Sequence, residues 1–397
     1  MSGSFSSNRV NRVNFRRVFL IVLDGVGAGA LPDARDFGDE GSDTLGHALP
    51  ERGLEVPHLA SRGLSALLSP PGPPVDVDGA WGRLVERSPG KDTTTGHWEL
   101  AGLTLDRPFP VYPEGFPAEV MEPFEKAVGR KALWNRPASG TEIIARLGAE
   151  HVRTGRPIVY TSADSVFQVA CHEDVVPVED LYRMCETARA LLAGPHAVSR
   201  VIARPFEGRT GAYRRTARRK DFSLAPPADT LLDRLVAADL EVRGIGKIED
   251  IFAFRGLTAS EHTPDNASST EALVREAADD FTGLCMANLI DFDMLYGHRR
   301  DAEGFLKALE AFDEALPRLE RALKEGDLLA ITADHGNDPR HPGTDHTREY
   351  VPLLVWRPGV RGETRLGDRN MADLGATIAE NFDVVTESGS SFLEALP

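Results

Sequence analysis

Residues 328–338 read Leu-Leu-Ala-Ile-Thr-Ala-Asp-His-Gly-Asn-Asp. A nearly unbroken apolar run stops at Asp334, and an imidazole follows at once. A run of this length fits a strand covered on both faces, as in a parallel sheet, because a strand with one wet face alternates. The pattern recurs. Val18-Phe-Leu-Ile-Val-Leu23 stops at Asp24, Leu284 to Ile290 runs into Asp291-Phe-Asp293, and Ile158-Val-Tyr-Thr161 runs into Ser162-Ala-Asp164. Helical periodicity lies between these runs. From Ala302 to Leu323, large apolar residues fall at steps of four and three (Phe305, Leu309, Phe312, Leu316, Leu319, Leu323), with a kink or break expected at Pro317. Ala228 to Leu240 and Met371 to Phe382 are similar. Strands alternating with helices indicate an α/β fold. Ligands of open sheets of this kind sit beyond the carboxyl ends of the strands, so the terminal aspartates are expected to converge on one edge.

The chain has 397 residues, which is long for one domain. The stretch from Arg107 to about residue 225 is richer in proline and contains a basic run, Arg214 to Lys220. We read it as a second α/β domain, 107–225, inserted into a core formed by 18–106 and 226–397. Met1 to Arg17, rich in Ser, Asn and Arg and lacking an apolar core, is read as a disordered tail. With 61 acidic against 45 basic residues, the formal charge of -16 disfavours nucleic acid and anionic membranes as partners. No apolar run reaches the roughly 18 residues of a membrane span. Three widely spaced cysteines, Cys171, Cys185 and Cys285, form neither a disulfide framework nor a zinc motif, and a reducing cytoplasm is the expected home.

Four segments carry chemistry. Asp334-His335, with His346 on the following loop, mixes hard carboxylate and borderline imidazole donors, a set that suits Mn²⁺ or Zn²⁺ better than Ca²⁺. Asp291-Phe-Asp293-Met-Leu-Tyr-Gly-His298 offers a second set, in which two aspartates on one strand face cannot be told apart by periodicity. Asp24-Gly-Val-Gly-Ala-Gly29 lacks both the GxGxxG spacing and the phosphate-loop lysine, so Asp24 reads as a ligand and the glycines as the turn behind it. Lys91-Asp-Thr-Thr-Thr-Gly-His97 offers three hydroxyls, one of which can become a nucleophile when lodged between cations; composition does not choose among them. Two cations about 4 Å apart need roughly six or seven ligands and a bridging group. Asp24, Asp293, His298, Asp334, His335 and His346 supply six, and one threonine the bridge.

These blocks, in this order, resemble the alkaline phosphatase superfamily, and within it the phosphopentomutases. Gly90-Lys-Asp-Thr-Thr-Thr-Gly-His97 and Tyr160-Thr-Ser-Ala-Asp-Ser165 resemble the pentomutase branch in particular. The resemblance implies an alkaline-phosphatase-like α/β core, with a mainly parallel sheet and helices on both faces, and an inserted α/β cap. It implies that Asp24, Asp334 and His335 hold one Mn²⁺, and that Asp293, His298 and His346 hold the other. Thr93 would bridge them and carry the phosphoryl group, primed by glucose 1,6-bisphosphate or a pentose bisphosphate. Ser162 and Asp164 match sugar-contacting positions, and Arg204 and Lys247 match phosphate-binding positions. Arg219 resembles a further family arginine, with Arg218 beside it as the alternative. The second threonine, Thr94, stands where methionine is more usual. The implied activity is interconversion of (deoxy)ribose 1-phosphate and 5-phosphate, with small sugar phosphates as partners; a monomer is an expectation that the sequence itself does not decide. The rivals are a phosphoglycerate mutase and a phosphatase or phosphodiesterase of the same superfamily.

Overall fold

The computed structural model describes residues 14–48, 55–68, 75–162 and 165–397. Strands β1 (Arg17–Leu23) and β2 (Gly79–Val85) come first. Then follow β3 (Ile158–Tyr160), β4 (Val166–His172), β5 (Arg200–Glu207), β6 (Arg214–Arg215) and β7 (Lys220–Ser223). The last six are β8 (Glu241–Ile245), β9 (Ala259–Glu261), β10 (Gly283–Leu289), β11 (Asp327–Thr332), β12 (Val351–Trp356) and β13 (Glu363–Asn370). The chain divides into two compact units, one ending at Arg107 and resuming at Pro227, the other spanning Pro108–Pro226.

The larger unit is built on an eight-stranded sheet, ordered β13-β2-β12-β11-β1-β10-β8-β9. All neighbours are parallel except β12, which is antiparallel to β11 and to β2. Every residue of β1, β10 and β11 is buried, which is why their sequences are continuous apolar runs rather than alternating ones. Val22 pairs with both Thr332 and Asn288, so Asp24 and Asp334, each two residues further on, leave adjacent strands at the same level. The expected α/β core with a mainly parallel sheet is therefore present, and it sets two carboxylates side by side at the strand ends.

Two expectations need correction. Phe15 and Arg17 are buried at 3% and 1% exposure, so a tail extending through Arg17 is too long. Arg17 opens β1 and pairs its guanidinium with Asp327 inside the fold. Residues 1–13 of that tail lie outside the described residues. Of the kink or break expected at Pro317, the break does not occur: the helix Ala302–Ala322 is continuous through it. Its buried stripe of Phe305, Leu309, Phe312, Leu316 and Leu319 packs on both sides of the proline, and that burial outweighs a missing hydrogen bond.

The smaller unit carries its own sheet, β3-β4-β5-β6, with β7 also paired to β5. Its core gathers Phe116, Phe124, Phe167, Val201 and Leu181. Among the described residues of the whole chain, no helix is long and apolar enough to cross a membrane.

Candidate metal centre

Asp24 is fully buried just past β1. Gly25 turns the chain at φ +80°, and its N–H donates to Asp334 Oδ1 at 3.1 Å, clamping the two strand ends together. His335 follows Asp334, and its Nδ1 donates to the carbonyl of Gly336 at 3.0 Å. That leaves Nε2 free to act as a ligand, and Nε2 lies 3.4 Å from Asp24 Oδ1 and 3.3 Å from Asp334 Oδ2.

The second set departs from the strand reading. β10 ends at Leu289, and Asp293 stands instead in a short π-helical turn, Phe292–Gly297. In that turn the N–H of His298 bonds to the carbonyl of Asp293, a five-residue step. The wide turn stacks residues five apart, which explains the spacing from Asp293 to His298. His298 Nε2 lies 3.3 Å from Asp293 Oδ2, while its Nδ1 donates to Thr344 O at 2.7 Å. His346 Nε2 lies 3.4 Å from Asp293 Oδ1. Asp291 turns elsewhere: its carboxylate accepts from the N–H of Asn266 at 2.9 Å, and its own N–H donates to Asn266 Oδ1. Geometry thus distinguishes the two aspartates that periodicity could not.

Two donor groups result, each with its ligand atoms within 4.8 Å of one another: Asp293, His298 and His346, and Asp24, Asp293 and His335. Asp334 adjoins the second group through His335. The site fits a cation on its own terms. Asp24 Oδ1 and Asp334 Oδ2 are buried oxygens with no hydrogen-bond partner, an arrangement that is costly without a cation. Burial, with the charges of Asp334 and Asp293, raises the Asp24 carboxyl above its ordinary range. Burial opposes charge on His335, but Asp334, Asp24 and Asp293 outweigh it and hold that imidazole well above its usual value. Three crowded carboxylates are an electrostatic load that a multivalent cation relieves.

Thr93 is the first residue of the helix Thr93–Leu100, capped by Asp92, whose carboxylate accepts from the N–H groups of Thr94 and Thr95. Thr93 Oγ1 lies 3.2 Å from His335 Nε2. The Thr95 hydroxyl instead donates to Asp92 Oδ2 at 2.6 Å. The helix approaches the aspartate strand closely: a Cβ on Gly96 would sit 2.1 Å from the carbonyl oxygen of Asp334, so only glycine fits.

The substrate candidates are divided between the two units. Lys247 belongs to the larger one, at the start of the helix after β8, where its charge lowers the Asp24 carboxyl. Arg204, Arg219 and Ser162 belong to the smaller one. Arg204 Nε donates to Gln168 at 3.1 Å, and burial, with Arg219 nearby, lowers its guanidinium to about 10. Arg219 forks onto Asp221 at 2.7 and 2.6 Å, whereas Arg218 pairs with Glu173. Asp164 lies outside the described residues.

Three polar residues at the site had no role assigned from sequence. His97 is fully buried beside Asp334, Asn288 donates to Asp24 Oδ2 at 3.2 Å, and Asn337 donates to Asp293 Oδ1 at 2.6 Å. The available signal was a lone amide inside the apolar run 284–290 and a histidine four residues after Thr93.

A family model described as the metalloenzyme superfamily matches residues 16–385. The chain is 56% identical over 386 residues to a phosphopentomutase of Caldanaerobacter subterraneus subsp. tengcongensis, covering 96% of this chain and 98% of that one. It is 55% identical over 381 residues to a phosphopentomutase of Carboxydothermus hydrogenoformans, covering 95% and 98%. The solved phosphoglycerate mutase of Leishmania mexicana is similar over 96% of this chain and 98% of that one, with a TM-score of 0.48 and 13% identity. Strand-end carboxylates, imidazoles and full-length similarity agree: the chain belongs to the metalloenzyme superfamily and, within it, to the phosphopentomutases, a family of isomerases.

Proposed function

We propose that this protein interconverts (deoxy)ribose 1-phosphate and (deoxy)ribose 5-phosphate through a phosphothreonine at Thr93. The names of its relatives and the placement of the Thr93 hydroxyl, 3.2 Å from His335 Nε2 beside the buried carboxylates, support this reading. On this reading Asp24, Asp334 and His335 hold one Mn²⁺, and Asp293, His298 and His346 hold the other. When bound, these ions neutralise the phosphoryl oxygens and the developing charge of an in-line displacement. Mn²⁺ is favoured by the mixed carboxylate and imidazole donors.

Thr93 carries the phosphoryl group at a helix N-terminus, where backbone N–H groups favour negative charge. A sugar hydroxyl attacks the phosphorus, the bond to Thr93 Oγ1 breaks, and a pentose bisphosphate forms. The threonine oxygen then takes back the other phosphoryl group, so phosphate is conserved overall. Glucose 1,6-bisphosphate or a pentose bisphosphate supplies the first phosphoryl group. Residues 107–225 act as the cap, with Ser162 and Asp164 on the sugar and Arg204, Arg219 and Lys247 on the non-reacting phosphate. A cap of this kind limits hydrolysis of the phosphoenzyme. The enzyme works in the cytoplasm, where the buried free thiols of Cys171, Cys185 and Cys285 stay reduced.

The test is incubation with Mn²⁺, ribose 1-phosphate and a trace of glucose 1,6-bisphosphate. Ribose 5-phosphate should form without equivalent free phosphate, and Thr93→Ala should form none while still binding Mn²⁺. Stoichiometric phosphate release would mean a hydrolase, and turnover of phosphoglycerate alone would overturn the substrate.

A further inference from the structure

We infer that His97 is a positioning residue, which carries its hydrogen on Nδ1, bonds the Thr93 turn beside the carboxylate of Asp334 and links it, through Asn288, to that of Asp24. The inference deepens the proposed function and rests on Thr93 and those carboxylates being its working groups.

The hydrogen-bond pattern leaves one consistent arrangement. The ionised Asp24 carboxylate only accepts, so the Asn288 atom 3.2 Å from its Oδ2 is the amide nitrogen. The same nitrogen lies 3.3 Å from His97 Nε2. Both hydrogens of that nitrogen then have acceptors, provided Nε2 offers a lone pair. The Thr93 carbonyl, 2.8 Å from His97 Nδ1, can only accept, so the ring's hydrogen sits on Nδ1 and is donated there; Asp334 Oδ2, 3.1 Å from the same nitrogen, lies in contact without a hydrogen bond. One buried ring thus joins the carbonyl of the proposed nucleophile's residue and, by way of an amide on β10, a carboxylate from the end of β1, while lying against a carboxylate from the end of β11. The four-residue step from Thr93 to His97 places the ring under its own helix N-terminus. His97 is 0% exposed, so it does not contact substrate; it sets the angle at which Thr93 faces the carboxylates. Outer partners of metal-binding groups commonly contribute about 10- to 100-fold in affinity or activity.

Two near-isosteric variants separate this role from simple space filling. His97→Asn keeps an N–H donor at the Nδ1 position, whereas His97→Gln places its amide at the Nε2 position and loses that donor. His97→Asn, which keeps the bond to Thr93 O and loses the link to Asn288, should retain most of kcat. His97→Gln should lose about 10- to 100-fold in kcat with little change in KM, and should bind Mn²⁺ more weakly. Equal kcat in the two variants overturns the inference. In the metal-free wild type, ¹⁵N-histidine NMR should show a ring protonated at Nδ1 and bare at Nε2, a signal that disappears in His97→Asn. An Nε2–H pattern in that signal overturns it as well. Should His97→Gln fail to fold, Asn288→Leu tests the same chain from the other end: reduced Mn²⁺ affinity supports the inference, and unchanged affinity overturns it. The NMR and Mn²⁺ readouts need no turnover, so they remain decisive even if the wild type isomerises no pentose phosphate.

Discussion

Lowering the pH should weaken cation binding, and His298 indicates by how much. Burial pulls its imidazole down, but the hydrogen bond to Asp293, that residue's charge and Thr344 O outweigh burial and raise it to about 9. The raised value means that the proton stabilises the metal-free fold. This contribution is fully present below the ordinary value near 6.5 and is lost as pH rises through about 9. A cation needs the Nε2 lone pair, so it must displace that proton, and its affinity should climb with pH until about 9. Each unit below that value costs at most about tenfold, so a span of about two units, from pH 8.5 to 6.5, costs at most about 100-fold. The side chain is 36% exposed, and solvent screening reduces the Asp293 contribution, so a loss of about 10- to 100-fold is expected. Isothermal titration with Mn²⁺ in buffers of different ionisation enthalpy measures both affinity and proton release. About one proton or more should leave per chain at pH 7, because His335 is also raised. An affinity flat from pH 6.5 to 8.5, with no proton release, would show that no His298 proton competes with the cation.

Two further predictions follow from the packing around Thr93. Arg348 is buried at 2% exposure and donates to Glu86, Asp33 and the carbonyls of Ser88 and Gly90, tying the loop before Thr93 to the segment that carries His346. Arg348→Ala strands Glu86 as an unpaired buried carboxylate and should destabilise the fold by about 3–5 kcal/mol, read as a shift in the urea midpoint. Gly96→Ala puts a methyl group against the Asp334 carbonyl, a backbone atom with little room to yield; a destabilisation of about 1–3 kcal/mol and a larger loss of activity are expected, checked by thermal melting and pentose phosphate assay.

Much of the core was legible because continuous apolar runs have few alternatives once both faces are buried. β1 and β11 end within a residue or two of Asp24 and Asp334, where the polarity changes. Asp293 was harder to place. A change in polarity marks where an apolar run ends but not how the backbone leaves it, and the π turn at Phe292–Gly297 leaves only the five-residue spacing to His298 as a trace. At Pro317 the sequence left a break open, because the local penalty is visible there, whereas the burial of the helix stripe that offsets it is a tertiary effect. His97 and Asn288 went unassigned for a related reason. Their roles depend on which strands become neighbours, and one polar residue within a motif or an apolar run does not show its partner.

Whether two cations gather at one rim of the sheet beside Thr93 can be read from anomalous diffraction at the manganese edge, with Mn²⁺-loaded crystals. Two peaks about 4 Å apart are expected, one against Asp24, Asp334 and His335 and the other against Asp293, His298 and His346, both near Thr93. A single peak, or peaks away from these side chains, would rule out the paired-cation site.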